Sequence, residues 1–179
     1  MKRTLSVSLL LLALAAPLFA QDNAVRPAPP SVTINGQSLK LNGTGVRDNS
    51  VYDAFAGSLY APKSSPTPEA LIEEPGDKLL RLDILKDKVE KERIMGAFEE
   101  GFIKDSPDFA TSPDAKRFLS LFKVDFYKGD KVELLLGGDG TVAASHNGKP
   151  LGSLKSSLLV RGILKSWFGD KPAAGERKP

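Results

Sequence analysis

One apolar segment constrains the fold more than any other part of the chain. Residues 51–61 are apolar or small at both alternating sets of positions, which is typical of a strand buried on both faces. The preceding stretch from Gly43 to Gly45 predicts a turn that brings Arg47 to the mouth of this strand. A guanidinium keeps its proton, so a partly buried one needs an anion, carbonyl groups or water around it. Arg47 is therefore either a ligand anchor or a turn arginine that braces the sheet edge.

The first 20 residues have the pattern of a secretory signal peptide. Lys2 and Arg3 form a basic start, residues 9–16 are an apolar core too short to span a bilayer, and Ala20 offers a cleavage position. The style of this signal predicts export to a Gram-negative periplasm, with no stable membrane anchor after cleavage; the alternative is that the segment stays uncleaved and serves as an anchor. The remaining 159 residues are the size of one domain with its own core.

Composition excludes several classes of function. Without the signal peptide the chain has 23 basic and 22 acidic residues, a net charge of +1, so charge does not indicate nucleic-acid binding. The absence of cysteine rules out disulfides and thiolate chemistry. A single histidine cannot build a structural zinc site. We therefore expect no metal and no cofactor, while the oligomeric state stays open.

Residues 32–170 have the pattern of one α+β domain. Residues 21–31 indicate a flexible leader and residues 171–179 a disordered tail. Hairpin signals come early and late in the chain, at Asn35-Gly36 and at residues 137–140, with helical patterns between and after them. This order indicates a mostly antiparallel sheet covered by helices, and not a repeating β-α-β chain.

Periodicity and capping residues predict the individual elements. The predicted strands cover residues 32–34, 38–41, 51–61, 78–86, 131–136 and 141–145. The predicted helices are a short one opened by Thr67 and Pro68, one at about 88–104, one that Ser112 caps and that carries Phe118 to Phe122, and a last one that starts at Ser153 or Ser156 and ends at Gly169.

Three hydroxyl groups are candidates for ligand contact. Tyr52 and Tyr60 lie an even number of positions apart on the predicted strand, so their side chains point to one face. A tyrosine hydroxyl can polarise a carbonyl or hold a carboxylate, although such an aromatic is more often part of the core. Ser166 places a hydroxyl on the apolar face of the last helix, where it bonds either a ligand carbonyl or the backbone one turn back.

His146 precedes Asn147-Gly148 and is therefore expected at a solvated hairpin tip. A role as haem ligand would need a second ligand, and none lies nearby in the sequence. The chain also lacks a Gly-x-Ser-x-Gly elbow, a phosphate-cradling Gly-Lys-Ser/Thr loop and a dinucleotide-binding fingerprint. No recognised catalytic motif is therefore present.

The order of these motifs resembles the chalcone isomerase fold family, specifically its bacterial exported chalcone isomerase-like branch. The resemblance covers nearly all of residues 32–172 and rests on Gly43-Thr44-Gly45-Val46-Arg47, on the strand ending Leu59-Tyr60, and on Lys165-Ser-Trp-Phe-Gly-Asp170. It implies an open-faced, mostly antiparallel sheet with helices packed on one side. It also implies a ligand cleft between a strand and a helix.

The resemblance further implies which positions would act on a substrate. In plant chalcone isomerases an arginine handles the substrate anion, a strand threonine and a tyrosine hold water on the ketone, and an asparagine with a helix threonine or serine contacts the flavonoid ring. Arg47 matches the arginine and Ser166 matches the helix hydroxyl. Ala54 or Phe55 stands at the threonine position, and Phe109 where the tyrosine would be. Loss of the groups that polarise a ketone typically costs orders of magnitude in rate.

Three hypotheses for function follow. The first is an exported, non-catalytic protein that binds a small apolar carboxylate or carbonyl ligand through Arg47, Ser166, Tyr52 and Tyr60. A branch of the resembling family binds fatty acids, which suggests a carboxylate by analogy. The second is an isomerase, an intramolecular lyase, that uses Arg47 and Ser166 on a chalcone-like substrate. The third is a haem-binding version of the fold that uses His146.

Overall fold

The computed structural model describes residues 28–46 and 54–168. The predicted signal peptide, most of the leader, Arg47, Tyr52 and the predicted tail fall outside these ranges. What the sequence predicts for them stays a prediction.

An antiparallel sheet of seven strands is the framework of the described chain. Each strand pairs antiparallel with its neighbours, and two short strands pair separately. In spatial order, the strands of the large sheet are β1 (Ser31–Ile34), β2 (Gln37–Val46), β3 (Phe55–Ala61), β4 (Lys78–Ile84), β7 (Lys131–Leu136), β8 (Thr141–His146) and β9 (Lys149–Lys155). The separate pair is β5 (Lys88–Val89) and β6 (Phe126–Tyr127).

Five helices complete the described fold. They are α1 (Pro68–Glu73), α2 (Lys91–Asp105), α3 (Pro107–Ala110), α4 (Pro113–Leu119) and α5 (Ser157–Phe168). Four of them begin after a serine or threonine whose hydroxyl accepts a hydrogen bond from a backbone N–H of the first turn. Three have proline in the first turn, where its missing N–H costs no helical hydrogen bond.

The helices pack on one face of the sheet. In β3 and β4, Phe55, Leu59, Leu80 and Leu82 point into the main core, which also holds the buried side chains of α2, α4 and α5. The alternate positions point to the opposite face, where Tyr60 with Leu39 and Leu79 forms a small separate core that contains no helix. Strand β3 is therefore buried on both faces, as its sequence predicts, and the α+β fold class is confirmed.

The predicted turn at Gly43 to Gly45 is wrong. Both glycines lie inside β2, where Gly43 is in register with Leu59 and Gly45 with Gly57. The register shifts between Leu41 and Gly43, which marks an irregularity in the pairing. Glycine inside a strand commonly accompanies such a bulge and weakens the pattern by which a strand is recognised.

Two elements after residue 112 differ from the prediction. Residues 149–155 form the edge strand β9, which was not predicted; of the two predicted starts of the last helix Ser153 is therefore wrong and Ser156, its N-cap, is confirmed. Helix α4 ends at Leu119, so Phe122 lies beyond it but is still buried in the main core. Strand β9 contains Pro150 and Gly152, which lower strand propensity, and proline in a sheet is tolerated at an edge.

Candidate functional site

Helix α5 lies close to α2 because a glycine faces a serine. A Cβ atom built on Gly101 would lie 2.4 Å from the Cβ of Ser166, so a side chain cannot be placed there without movement. One turn earlier in α5, a Cβ on Gly162 would lie 2.7 Å from the ring of Phe109. These two glycines let α2 and the α3 aromatic pack directly against the last helix.

The hydroxyl of Ser166 is buried between these helices. Its Oγ donates a hydrogen bond of 2.6 Å to the carbonyl oxygen of Gly162, one turn back in α5. Of the two arrangements that the sequence allows, the structure shows the backbone bond. Contact between Ser166 and a ligand stays a prediction.

Trp167 connects α5 to strand β3. A Cβ atom on Gly57 would lie 2.9 Å from Cζ3 of the indole, and the rings of Phe55 and Phe98 have centroids 5.8 Å from that of Trp167. The side chain is 5% exposed, and among the described residues its Nε1 has no hydrogen-bond partner. A buried polar group without a partner costs about 1–3 kcal/mol.

The sequence identified Trp167 only as part of a motif and did not indicate that its indole N–H is a buried hydrogen-bond donor. The signal that could have identified it is the single indole of the chain, placed on the apolar face of the last helix. Its position over a glycine of β3 depends on the three-dimensional packing and could not be read from the sequence.

The positions implied for substrate polarisation carry apolar groups that belong to the core. Ala54 and Phe55 are fully buried in the main core. Phe109 packs edge to face on Phe102 at a centroid distance of 5.2 Å and also covers Gly162. None of these three side chains can donate a hydrogen bond to a ketone.

Tyr60 lies on the other face of the sheet from Ser166 and Trp167. Its ring packs on Leu39 and Leu79, and the guanidinium carbon of Arg81 is 5.7 Å from the ring centroid. The hydroxyl has no hydrogen-bond partner among the described residues. Burial raises the pKa of Tyr60, while the nearby charge of Arg81 opposes that shift. The structure therefore does not bring Tyr60 together with Ser166.

His146 lies next to the hairpin turn at Asn147-Gly148, as predicted, but the prediction that it is solvated is wrong, because its side chain is only 19% exposed. Its Nε2 is 2.9 Å from a carboxylate oxygen of Asp130, and its ring stacks edge to face on Phe126 at 4.9 Å. Asn147 donates to the other carboxylate oxygen at 2.7 Å. Burial alone would raise the pKa of Asp130, but hydrogen bonds from Asn147, the backbone of Tyr127 and His146 hold it below its ordinary value. The ring is thus engaged in joining two turns.

Residues 28–46 and 54–168 contain neither a metal-binding cluster nor a membrane-spanning helix. No group of three or more histidine or acidic side chains there is arranged to hold a metal ion. No helix in the same ranges has the length and apolar character needed to cross a bilayer.

The fold and site define a class of protein: an α+β domain with helices on one face of a curled antiparallel sheet and an aromatic contact between the layers. A family model described as chalcone isomerase-like matches residues 21–178, and the chain belongs to this family. The resemblance predicted from the motifs is confirmed.

A solved structure supports the same fold. The crystal structure of the Arabidopsis thaliana fatty-acid binding protein AtFAP1 is similar, with a TM-score of 0.63 and 23% identity over 80% of this chain and 91% of that chain. At this level of identity the likeness is one of fold. No curated protein matches the chain.

Proposed function

We propose that this protein is an exported, non-catalytic binding protein of the periplasm. It holds a small apolar molecule with a carboxylate or carbonyl head between β3 and the helices α2 and α5. Arg47, the residue that follows the end of β2, anchors the head group. The family membership supports this assignment, and the fatty-acid binding protein of similar fold supports an apolar acid as the ligand class.

The observation that carries the proposal is the chemistry of the surface between sheet and helices. The positions that the family resemblance implies for polarising a ketone are occupied by Ala54, Phe55 and Phe109. Their side chains have no hydrogen-bond donor. The one hydroxyl that matches, on Ser166, is bonded to its own helix. Since stabilisation of developing charge is usually the largest catalytic term, this surface favours binding over cyclisation.

The apolar character of this surface suits an apolar ligand body. Each methylene group moved out of water contributes about 0.8 kcal/mol, or about fourfold in affinity. Affinity for straight-chain acids should therefore rise with chain length until the available apolar surface is covered. A carboxylate head group adds charge-assisted hydrogen bonds if an arginine donates to it.

The experiment compares thermal stabilisation by dodecanoate in three proteins. We expect wild type and Arg117→Ala, which removes an exposed arginine of α4, to gain the same increase in Tm. Arg47→Ala should gain little or none. Equal increases in all three would reject Arg47 as the anchor, and no increase in wild type with any apolar acid or ketone would reject the binding function.

A turnover assay separates binding from catalysis. Wild type is incubated with a hydroxylated chalcone, and loss of the enone absorbance is followed against buffer. We expect no acceleration over buffer. Acceleration that Arg47→Ala abolishes would favour the isomerase instead.

A further inference from the structure

The strongest unexplained feature of the described chain is the buried indole N–H of Trp167. Indole is a donor only, and a buried one normally has an acceptor. Within the described ranges no such acceptor lies in reach of Nε1, although the side chain is 5% exposed.

None of the described neighbours of the ring accepts a hydrogen bond from Nε1. Phe55 and Phe98 are hydrocarbon, and Gly57 has no side chain. The backbone of Gly57 is in register with Gly45 on one side and Leu82 on the other, so it takes part in the sheet. The adjacent Ser166 donates its hydroxyl hydrogen to Gly162, and its oxygen, which keeps its lone pairs, forms no hydrogen bond with Nε1.

The position of the donor is also set by the chain. The indole lies directly on Gly57, where any larger residue would collide with Cζ3 at 2.9 Å. Two aromatic rings hold it from the sides, one from β3 and one from α2. A donor held this firmly needs little reorganisation when an acceptor arrives.

We propose that Trp167 is a ligand-binding residue whose Nε1–H donates a hydrogen bond to an oxygen of the bound molecule. This inference rests on the proposed function and deepens it. The ligand must carry a carboxylate or carbonyl oxygen on its apolar body, and a molecule of the same shape with an ammonium head is rejected. Because the indole is neutral, its Nε1–H can donate to a ketone or ester oxygen as well as to a carboxylate.

Wild-type protein labelled with ¹⁵N provides the direct test. Trp167 is the sole tryptophan, so a single indole cross-peak reports on this donor. Saturating dodecanoate should move that peak downfield and slow its exchange with solvent. Dodecylammonium, with the same chain and no acceptor oxygen, should do neither.

The outcomes separate this inference from the function on which it rests. If dodecanoate raises Tm but leaves the peak in place, the role of Trp167 is rejected and ligand binding stands. A peak that is already protected without ligand and does not respond to dodecanoate points to a buried water or a chain acceptor, and also rejects it. If dodecanoate changes neither Tm nor the peak, the binding function fails as well.

A variant measures the strength of the bond. Trp167→Phe keeps an aromatic ring and removes the donor, and we expect dodecanoate to bind about ten- to hundredfold more weakly by calorimetry. Phe122→Leu is the matched control, because Phe122 packs on Phe98, Phe118 and Phe126 in the same core and has no ring contact with Trp167. It should keep the wild-type affinity. Equal affinity in Trp167→Phe and wild type would overturn the proposal.

Discussion

Two glycines of α2 differ in whether the surrounding structure leaves room for a side chain. A Cβ on Gly101 would meet Ser166 at 2.4 Å, whereas a Cβ on Gly96 has nothing within 4 Å. Gly101→Ala should therefore lower the free energy of unfolding by about 1–3 kcal/mol through overpacking. Gly96→Ala should raise it by up to about 1 kcal/mol, because alanine is the better helix former. Urea unfolding measures both, and a stabilised Gly101→Ala would show that α2 and α5 can separate without cost.

At the scale of elements, one carboxylate joins the turn between β6 and β7 to the turn between β8 and β9. Asp130 accepts hydrogen bonds from Asn147 and the backbone of Tyr127, and it pairs with His146. Its pKa is lowered in the folded protein, so the stability it contributes is present above the ordinary pKa of 3.8 and is lost as pH falls through the folded value.

Asp130→Ala should cost about 1 kcal/mol at pH 7, because it removes the hydrogen bonds that the carboxylate accepts from Asn147 and from the backbone of Tyr127 at exposed turn positions. The difference in free energy of unfolding between wild type and variant should shrink as pH falls below about 3.8, because the unfolded carboxyl takes up its proton there and the folded one only at lower pH. Urea unfolding at pH 7 and pH 3 checks this, with Asp114→Ala as a control whose carboxyl makes none of these bonds. If the difference in free energy of unfolding does not change with pH, the charge of Asp130 is not what stabilises the wild type.

The elements also show what the sequence can and cannot predict. Asn35-Gly36 and Asn147-Gly148 both adopt positive φ angles, as the hairpin prediction requires, and the serine and threonine caps open the helices where they stand. These signals are local, so they can be read from the chain. The strand character of Gly43 and Gly45 and of residues 149–155 comes from pairing with β3 and β8, which no local pattern records. The contact of Trp167 with Gly57 could not be predicted either, because it joins two distant parts of the chain. What the sequence predicts for Arg47 and Tyr52 remains a prediction.

At the scale of the whole molecule, the last helix completes a core that begins at β3. Leu159, Ile163, Leu164 and Trp167 are all buried in the main core, where Trp167 meets Phe55. Burial of four such side chains contributes about 6–12 kcal/mol, which is comparable with the total stability of about 5–15 kcal/mol for a typical domain. The domain should therefore be one cooperative unit that cannot form before its C-terminal helix is available.

A chain that stops after Lys155 tests this dependence. We expect it to show no sigmoidal transition in urea, whereas a chain that lacks only residues 171–179 should unfold at the wild-type midpoint. Circular dichroism follows both chains, because the shorter one no longer contains the tryptophan. A cooperative transition in the chain without α5 would mean that the sheet and α2 hold a core of their own. The site on α5 would then lie on a helix that docks onto an already folded domain.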